Sequence, residues 1–122
     1  MKESAIVTRI LKFLNRLPHC KAIKIHGSPY MEAGTPDILG CYHGQMFAFE
    51  VKTTKGKTSK IQDYRLSQWG IAGALAKIVI DEGGAQSAIR ECIINSSKND
   101  HPIVVNLPVV YRNSKLSIGR IE

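Results

Sequence analysis

The chain has 122 residues and a net charge of +7, with 17 Lys and Arg against 10 Asp and Glu. This length predicts a single domain, and 43% hydrophobic residues exclude a disordered or collagen-like chain. We expect no membrane segment, because the uncharged apolar runs are short. Three cysteines without CxxC spacing favour a reducing, cytoplasmic location. The basic excess favours a polyanionic partner.

Hydrophobic spacing and turn residues predict the element order αβββαβα, followed by a hairpin. In chain order, the predicted elements are a helix over Lys2–Leu17, strands over Cys20–His26, Pro36–Tyr42 and Gln45–Thr53, a helix starting at Ser59 whose apolar side is Leu66, Trp69, Ala72, Gly73 and Leu75, a strand over Ala76–Ile80, a helix over Ala85–Asn95, and hairpin strands over Ile103–Tyr111 and Lys115–Ile121.

This order predicts an α/β fold in which helices flank a mixed central sheet. Residues 1–95 form the predicted core, and residues 96–122 form a C-terminal extension, in the same domain or as an oligomerisation arm. The extension is strongly apolar from Ile103 to Tyr111. Because an apolar edge strand invites association, we expect it to be covered by its own core or by a second copy of the chain.

The hairpin of the second and third strands predicts the position of two acidic side chains. With His43 and Gly44 as the turn, Tyr42 opposes Gln45 and, further along, Asp37 opposes Glu50. Opposed residues share one face, with Cβ atoms roughly 4.5–5.5 Å apart. Acids on neighbouring strands are usually solvated, but apolar residues flank this pair on both faces, which favours a covered, central hairpin.

Three further residues can join this pair. Lys52 follows Glu50 by two residues and projects from the same face. Glu3 lies on the apolar stripe of the first helix, although an acid in a first turn also favours the helix dipole. Gln62 completes a capping box with Ser59, which is an equally good reason for its presence. Paired carboxylates among oxygen ligands suit Mg²⁺.

These residues resemble the core of the PD-(D/E)XK nucleases, because Gly34-Thr35-Pro36-Asp37 precedes Glu50-Val51-Lys52 by a short hairpin. The longer strings GTPDILG and FEVKTTKGK, followed by Gln62 and Trp69, resemble the small VRR-NUC branch, whose stand-alone members occur in bacteria and phages. The resemblance covers roughly residues 2–82. It implies the restriction-endonuclease-like αβββαβ fold.

The resemblance also implies metal-dependent hydrolysis of phosphodiester bonds. Asp37, Glu50 and the backbone carbonyl of Val51 would bind Mg²⁺ or Mn²⁺, and Glu3 would act through a water or a second ion. Lys52 would orient the attacking water or stabilise charge on the phosphate. Gln62 would steady Lys52 or the phosphate. The chain contains no zinc-ligand spacing and no motif for a nucleotide cofactor.

Basic residues beyond this motif indicate where nucleic acid could bind. A charge run is usually a solvated surface, but next to a phosphate-cleaving motif it favours contact with the nucleic-acid backbone. Tyr30 could stack on an unpaired base. The predicted nucleic-acid-binding residues are Lys55, Lys57, Lys60, Arg65, Lys24, Tyr30 and Lys21.

Together these features predict a DNA endonuclease, with branched or Holliday-junction DNA favoured by the resemblance and a role in repair or recombination. A homodimer is expected, because a four-way junction has two-fold symmetry. Two alternatives stay open. One is a restriction-like or repair endonuclease that reads a sequence, and the other is a DNA-binding module without cleavage.

Overall fold

The computed structural model describes residues 1–98, 109–112 and 115–118 of the chain. It confirms the predicted α/β fold and the predicted order of elements. The elements are α1 (Glu3–Arg16), β1 (Cys20–Lys24), β2 (Ile38–Tyr42), β3 (Gln45–Val51), α2 (Lys60–Ile71), β4 (Leu75–Val79), α3 (Glu82–Lys98), β5 (Val109–Arg112) and β6 (Lys115–Ile118).

The central sheet is mixed and has the strand order β1-β2-β3-β4. Strands β1, β2 and β3 are antiparallel neighbours, whereas β4 lies parallel to β3. Helix α2 supplies the crossover that a parallel connection requires. The β2–β3 hairpin is therefore central, as predicted, and β1 and β4 form the edges of this sheet.

The turn between β2 and β3 fixes the register of this hairpin. His43 and Gly44 both have positive φ, 48° and 84°, as a type I′ turn requires. Tyr42 pairs with Gln45, and Ile38 pairs with Phe49. The same register places Asp37, just before β2, opposite Glu50. The predicted pairing is confirmed.

One face of the sheet carries the main hydrophobic core. Phe47, Phe49 and Val51 alternate along β3 and are fully buried, and they cluster with residues of α1 and α3, which both cover this face. The rings of Phe47 and Phe49 stack with centroids 4.7 Å apart. Gly40 in β2 leaves room for the Phe47 ring, because a Cβ there would lie 2.3 Å from it.

The opposite face carries Ala48 and Glu50, which alternate with the core residues along β3. Helix α2 lies on this face, where a Cβ at Gly70 would lie 3.6 Å from the Cβ of Ala76. Helix α2 contributes no fully buried residue. The sheet is therefore covered tightly on one face and partly on the other.

Two predicted helices differ from the observed ones. Helix α2 ends at Ile71, so the predicted apolar side was wrong beyond that point: Ala72 and Gly73 follow the helix, and Leu75 begins β4. Gly73 adopts a φ of 114°, a conformation that ends a helix. Helix α3 is longer than predicted at both ends and includes residues 96–98, which were expected to be a polar link.

The C-terminal hairpin is confirmed where the structure describes it. Strand β5 pairs antiparallel with β6, from Val109 opposite Ile118 to Arg112 opposite Lys115. The remaining residues of the predicted strands, 103–108 and 119–121, lie outside the described residues. The division of the chain at residues 95 and 96 stays a prediction. Among the described residues, no helix has the length and apolar character needed to cross a bilayer.

The close contact at Gly40 predicts a specific sensitivity of the core. We expect Gly40→Ala to lower the free energy of unfolding by about 2 kcal/mol or more, because the new methyl group overlaps the Phe47 ring and the backbone oxygen of Lys21. Gly27→Ala is the matched control, since a Cβ there meets no atom within 4 Å. Urea unfolding of both variants checks this, and equal stability of the two would contradict it.

Candidate active site

A cluster of charged side chains lies where β3 ends on the α2 face of the sheet. Asp37, Glu50 and Lys52 come together there, and Glu3 reaches the cluster from the first turn of α1. Glu50 is only 2% exposed although it carries an ionisable carboxyl group. The structure therefore brings together the four charged residues that the sequence singled out.

The two carboxyl groups are held by different partners. Asp37 Oδ2 accepts a hydrogen bond from the backbone N–H of Val51 at 2.8 Å, which ties the start of β2 to the end of β3. Glu50 Oε1 accepts from Gln62 Nε2 at 2.9 Å. Because each interaction engages one oxygen of its carboxyl group, each group keeps a second oxygen for a ligand.

Lys52 lies between two acidic residues. Its Nζ is 3.5 Å from Glu50 Oε1 and 3.8 Å from Glu3 Oε1. The Lys52 side chain is 12% exposed, whereas that of Glu3 is 43% exposed. The ammonium group is thus confined at the surface of the site, and Glu3 forms the outer wall.

The electrostatic balance of this cluster favours an added cation. Burial, and next the charge of Asp37, raises the pKa of Glu50 from 4.5 to about 7, and Lys52 only partly opposes this rise. A cation between the carboxyl groups would remove this excess of negative charge. The donor set is all oxygen, which is the chemistry that Mg²⁺ and Mn²⁺ favour.

The residues of this cluster fit a Mg²⁺ or Mn²⁺ ion that keeps several of its water ligands. Among residues 1–98, 109–112 and 115–118, no three His, Cys, Asp or Glu side chains are grouped so that they could hold a metal ion. Protein ligands would therefore be Asp37 and Glu50, with backbone oxygen such as that of Val51 and with water. Mg²⁺ is commonly bound by one or two carboxylates and keeps several waters.

Gln62 takes part in two interactions that the sequence analysis treated as alternatives. Its Oε1 accepts from the backbone N–H of Ser59 at 2.9 Å, and Ser59 Oγ accepts from the backbone N–H of Gln62, which completes the capping box. The Nε2 of the same amide donates to Glu50. Gln62 thus contacts Glu50 directly, and the role toward Lys52 or the phosphate that the resemblance implies stays a prediction.

The predicted nucleic-acid-binding residues fall into two groups. Lys55, Lys57 and Lys60 are exposed in and after the loop that follows Lys52. The second group is Lys21 and Lys24 of β1 with Tyr30 of the following loop, and these are also exposed, Tyr30 at 98%.

Arg65 differs from these residues because the protein already engages its guanidinium group. Its Nε donates to the backbone oxygen of Ala33 at 3.0 Å, and its Nη1 forms an ion pair with Glu32 at 3.3 Å. Arg65 therefore holds the loop that leads to Asp37 against α2. No local pattern predicts this contact, because it joins residues 32 positions apart.

Comparisons with known proteins bear on the fold. No family model matches the sequence, and no curated protein matches it. Among solved structures, one VRR-NUC domain protein superposes with a TM-score of 0.59 at 18% identity, covering 77% of this chain and 89% of its own. A second structure, a VRR-NUC domain, superposes with a TM-score of 0.60 at 19% identity, covering 72% of this chain and 94% of its own.

The chain has a VRR-NUC fold. The similarity covers most of the chain, and it confirms the fold expected from the sequence resemblance. In this VRR-NUC fold, the charged cluster lies at the end of the central hairpin, beside the crossover helix α2. The roles of the individual residues in the cluster stay predictions.

The raised pKa of Glu50 predicts an unusual dependence of stability on pH. The folded carboxyl group binds a proton more tightly than the unfolded one, so the contribution of Glu50 to stability is fully present below pH 4.5 and is lost as the pH rises through about 7. Glu50→Gln removes this decline and keeps an acceptor for Gln62. We compare the change in the free energy of unfolding that Glu50→Gln causes at two pH values. We expect this change to be more stabilising at pH 8 than at pH 4.5 by about 2–3 kcal/mol.

Urea unfolding at several pH values in the presence of a chelator measures this difference. Asp63→Asn is the control, because Asp63 is exposed in the first turn of α2. A difference between Glu50→Gln and the parent chain that does not change with pH would contradict the assignment.

Proposed function

We propose that this protein is an endonuclease that hydrolyses phosphodiester bonds in DNA with Mg²⁺ or Mn²⁺. The observation that carries the proposal is the meeting of Asp37, Glu50 and Lys52 at one end of the central hairpin of a VRR-NUC fold. Two carboxyl groups and one ammonium group are the set that metal-assisted phosphate hydrolysis needs. The net charge of +7 supports a polyanionic substrate.

Asp37 and Glu50 hold the metal ion in this proposal, together with the backbone carbonyl of Val51. The ion, when bound, acidifies water and neutralises charge on the phosphate. Glu3 holds a water of the metal shell, since its side chain lies at the outer side of Lys52. Gln62 fixes the rotamer of Glu50 through its 2.9 Å hydrogen bond and so acts as a positioning residue.

Lys52 supplies the positive charge that faces the phosphate. Its contacts with Glu50 and Glu3 hold the ammonium group in place, because both carboxylates attract it from within 4 Å. From there it can orient the attacking water or donate to a phosphate oxygen as negative charge develops on it. A point charge on a confined stem suits both tasks.

The exposed lysines after the site form the proposed DNA track. Lys55, Lys57 and Lys60 continue from Lys52 along the loop and into α2, so they can follow a phosphate backbone. Lys24 and Tyr30 extend the track on the other side, where the exposed Tyr30 ring can stack on a base. We leave Arg65 out of the track, because Ala33 and Glu32 already engage it.

Branched or junction DNA is the proposed substrate, and a homodimer is the proposed active form. Each chain carries one set of Asp37, Glu50 and Lys52, whereas a four-way junction offers two strands related by a two-fold axis. Two chains related by the same symmetry would cut both strands. A sequence-reading enzyme and a DNA-binding module without cleavage are the two alternatives. Each would give a different pattern of DNA binding and cleavage.

Cleavage of linear, flapped and four-way DNA by the site variants tests the function. We expect Asp37→Asn and Glu50→Gln to reduce cleavage by at least about 100-fold while DNA binding is kept or strengthened, because each removes a negative charge that repels phosphate. Lys52→Ala should slow single-turnover cleavage with little change in affinity. Lys57→Ala should instead weaken DNA binding. It should also reduce the slope of the logarithm of the binding constant against the logarithm of salt concentration by about one.

Asp63→Asn serves as the control for the acidic variants. Undiminished cleavage by Asp37→Asn or Glu50→Gln would exclude the proposed roles. Specific binding of DNA without cleavage under any divalent ion would favour the binding module. Cleavage confined to one sequence in linear DNA would favour the sequence-reading enzyme.

The homodimer is tested separately by light scattering at micromolar concentration. We expect the full chain to give twice its mass of 13.5 kDa. A chain that ends at Lys98 shows whether the C-terminal extension contributes to the interface, in which case it is expected to be monomeric. A full-length monomer that still cuts both strands of a junction in pairs would contradict the proposed active form.

A further inference from the structure

A cleft of about 680 Å³ opens at the loop that follows Lys52, and of the residues given roles above, Lys55 alone is in its lining. It lies between the start of α1, the loop that follows β3 and the start of α3. Its lining includes Ile6, Arg9, Thr54, Lys55, Ile80 and Glu82.

The cleft and the site lie near the same edge of the sheet because β3 and β4 are parallel. Parallel strands end at the same edge of a sheet, so the loops after both strands emerge together. The backbone N–H of Lys52 donates to Val79 at 3.0 Å, which continues the ladder to this edge. Thr53, which follows Lys52 directly, already lines the cleft. On α1, Ile6 lies one helical turn beyond Glu3.

The lining combines the groups that bind a nucleotide. Ile6 and the 43% exposed Ile80 give an apolar surface for a base. Arg9 and Lys55 are exposed at the cleft, and within residues 1–98 neither forms an ion pair, so both can bind a phosphate. The volume lies in the range of ordinary ligand pockets, which is roughly 300–1,000 Å³.

We propose that this cleft is a subsite for one unpaired nucleotide of the DNA strand that is cut. The inference rests on the proposed endonuclease function and specifies the substrate further. The base lies against Ile6 and Ile80, and the adjoining phosphate binds Arg9 and Lys55, while the next phosphate reaches Lys52. A base within a paired, stacked duplex cannot enter such a cleft without first leaving the stack. The preferred substrate therefore carries an unpaired nucleotide next to the cut.

Glu82 adds a preference among the bases. Its carboxylate lines the cleft and can accept a hydrogen bond from an exocyclic amino group, which adenine, cytosine and guanine have and thymine lacks. Asp81 lies beside it, but Asp81 Oδ1 already accepts from the backbone N–H of Gly84 at 2.7 Å. Asp81 keeps its second oxygen, but this bond fixes its side chain at the start of α3, so we assign the contact with the base to Glu82.

Cleavage of matched fork and duplex substrates tests the subsite with the full-length protein. Both DNAs carry the same sequence around the cut, and only the fork has an unpaired nucleotide beside it. We expect kcat/KM to be higher for the fork, and we expect Arg9→Ala and Ile80→Ser each to reduce the ratio of fork to duplex 5- to 20-fold. Glu82→Gln should reduce the difference between an unpaired adenine and an unpaired thymine.

Two controls match these variants in exposure. Lys12→Ala removes another exposed cation of α1, and Ile23→Ser removes an exposed isoleucine from the other edge of the sheet. Neither residue lines the cleft, so the ratio should not change. A parent chain without preference for the fork, or an equal loss in Arg9→Ala and Lys12→Ala, would overturn the subsite.

A binding measurement separates failure of the subsite from failure of the proposed function. The fork carries 2-aminopurine at the unpaired position, and its fluorescence is titrated with protein in the presence of a chelator. Arg9→Ala and Ile80→Ser should need at least about fivefold more protein than the parent chain and the two controls. If no DNA is cut at all, the endonuclease proposal fails, and this titration alone decides the subsite: a loss specific to the two variants supports it, and equal titrations reject it.

Discussion

The burial of one carboxyl group organises this molecule. Glu50 lies in a central strand with 2% exposure, and a charge in that position is costly unless other groups compensate it. The hydrogen bond from Gln62 and the ammonium group of Lys52 provide part of that compensation. Burial and the neighbouring charge of Asp37 outweigh these contacts and raise the pKa of Glu50 to about 7. This imbalance is the reason for proposing a divalent cation at Asp37 and Glu50.

Helix α2 couples its own stability to the geometry of the site. Ser59 and Gln62 begin the helix by capping each other, with Gln62 Oε1 as the acceptor. The Nε2 of the same amide donates to Glu50. A helix of twelve residues without a fully buried side chain has little packing energy, so its start depends on this cap. Substitution of Gln62 would therefore loosen the helix and the carboxyl group together.

The parts of the structure that the sequence predicted are those that short-range geometry determines. The turn at His43 and Gly44 sets the register of β2 and β3, and that register brings Asp37 to Glu50. The capping box likewise marks the start of α2. Contacts between distant segments were not predictable in this way. The bond from Arg65 to Ala33 and the cleft beside Lys52 depend on how α2 and β4 return to the sheet.

The strand pairs differ in sequence separation, so the β2–β3 hairpin is expected to form before β3 pairs with β4. The β2–β3 hairpin closes through a two-residue turn, whereas pairing of β3 with β4 joins residues 28 positions apart, such as Phe47 with Leu75. Local hairpins form in roughly 1–10 μs, and distant pairings must first overcome the entropy of closing a long loop. The hairpin that brings Asp37 opposite Glu50 is thus expected to form before β4 and α2 pack on it. Gln62 of α2 can donate to Glu50 only once that helix has packed on the sheet, so the enclosure of this carboxyl group belongs to the later steps of folding.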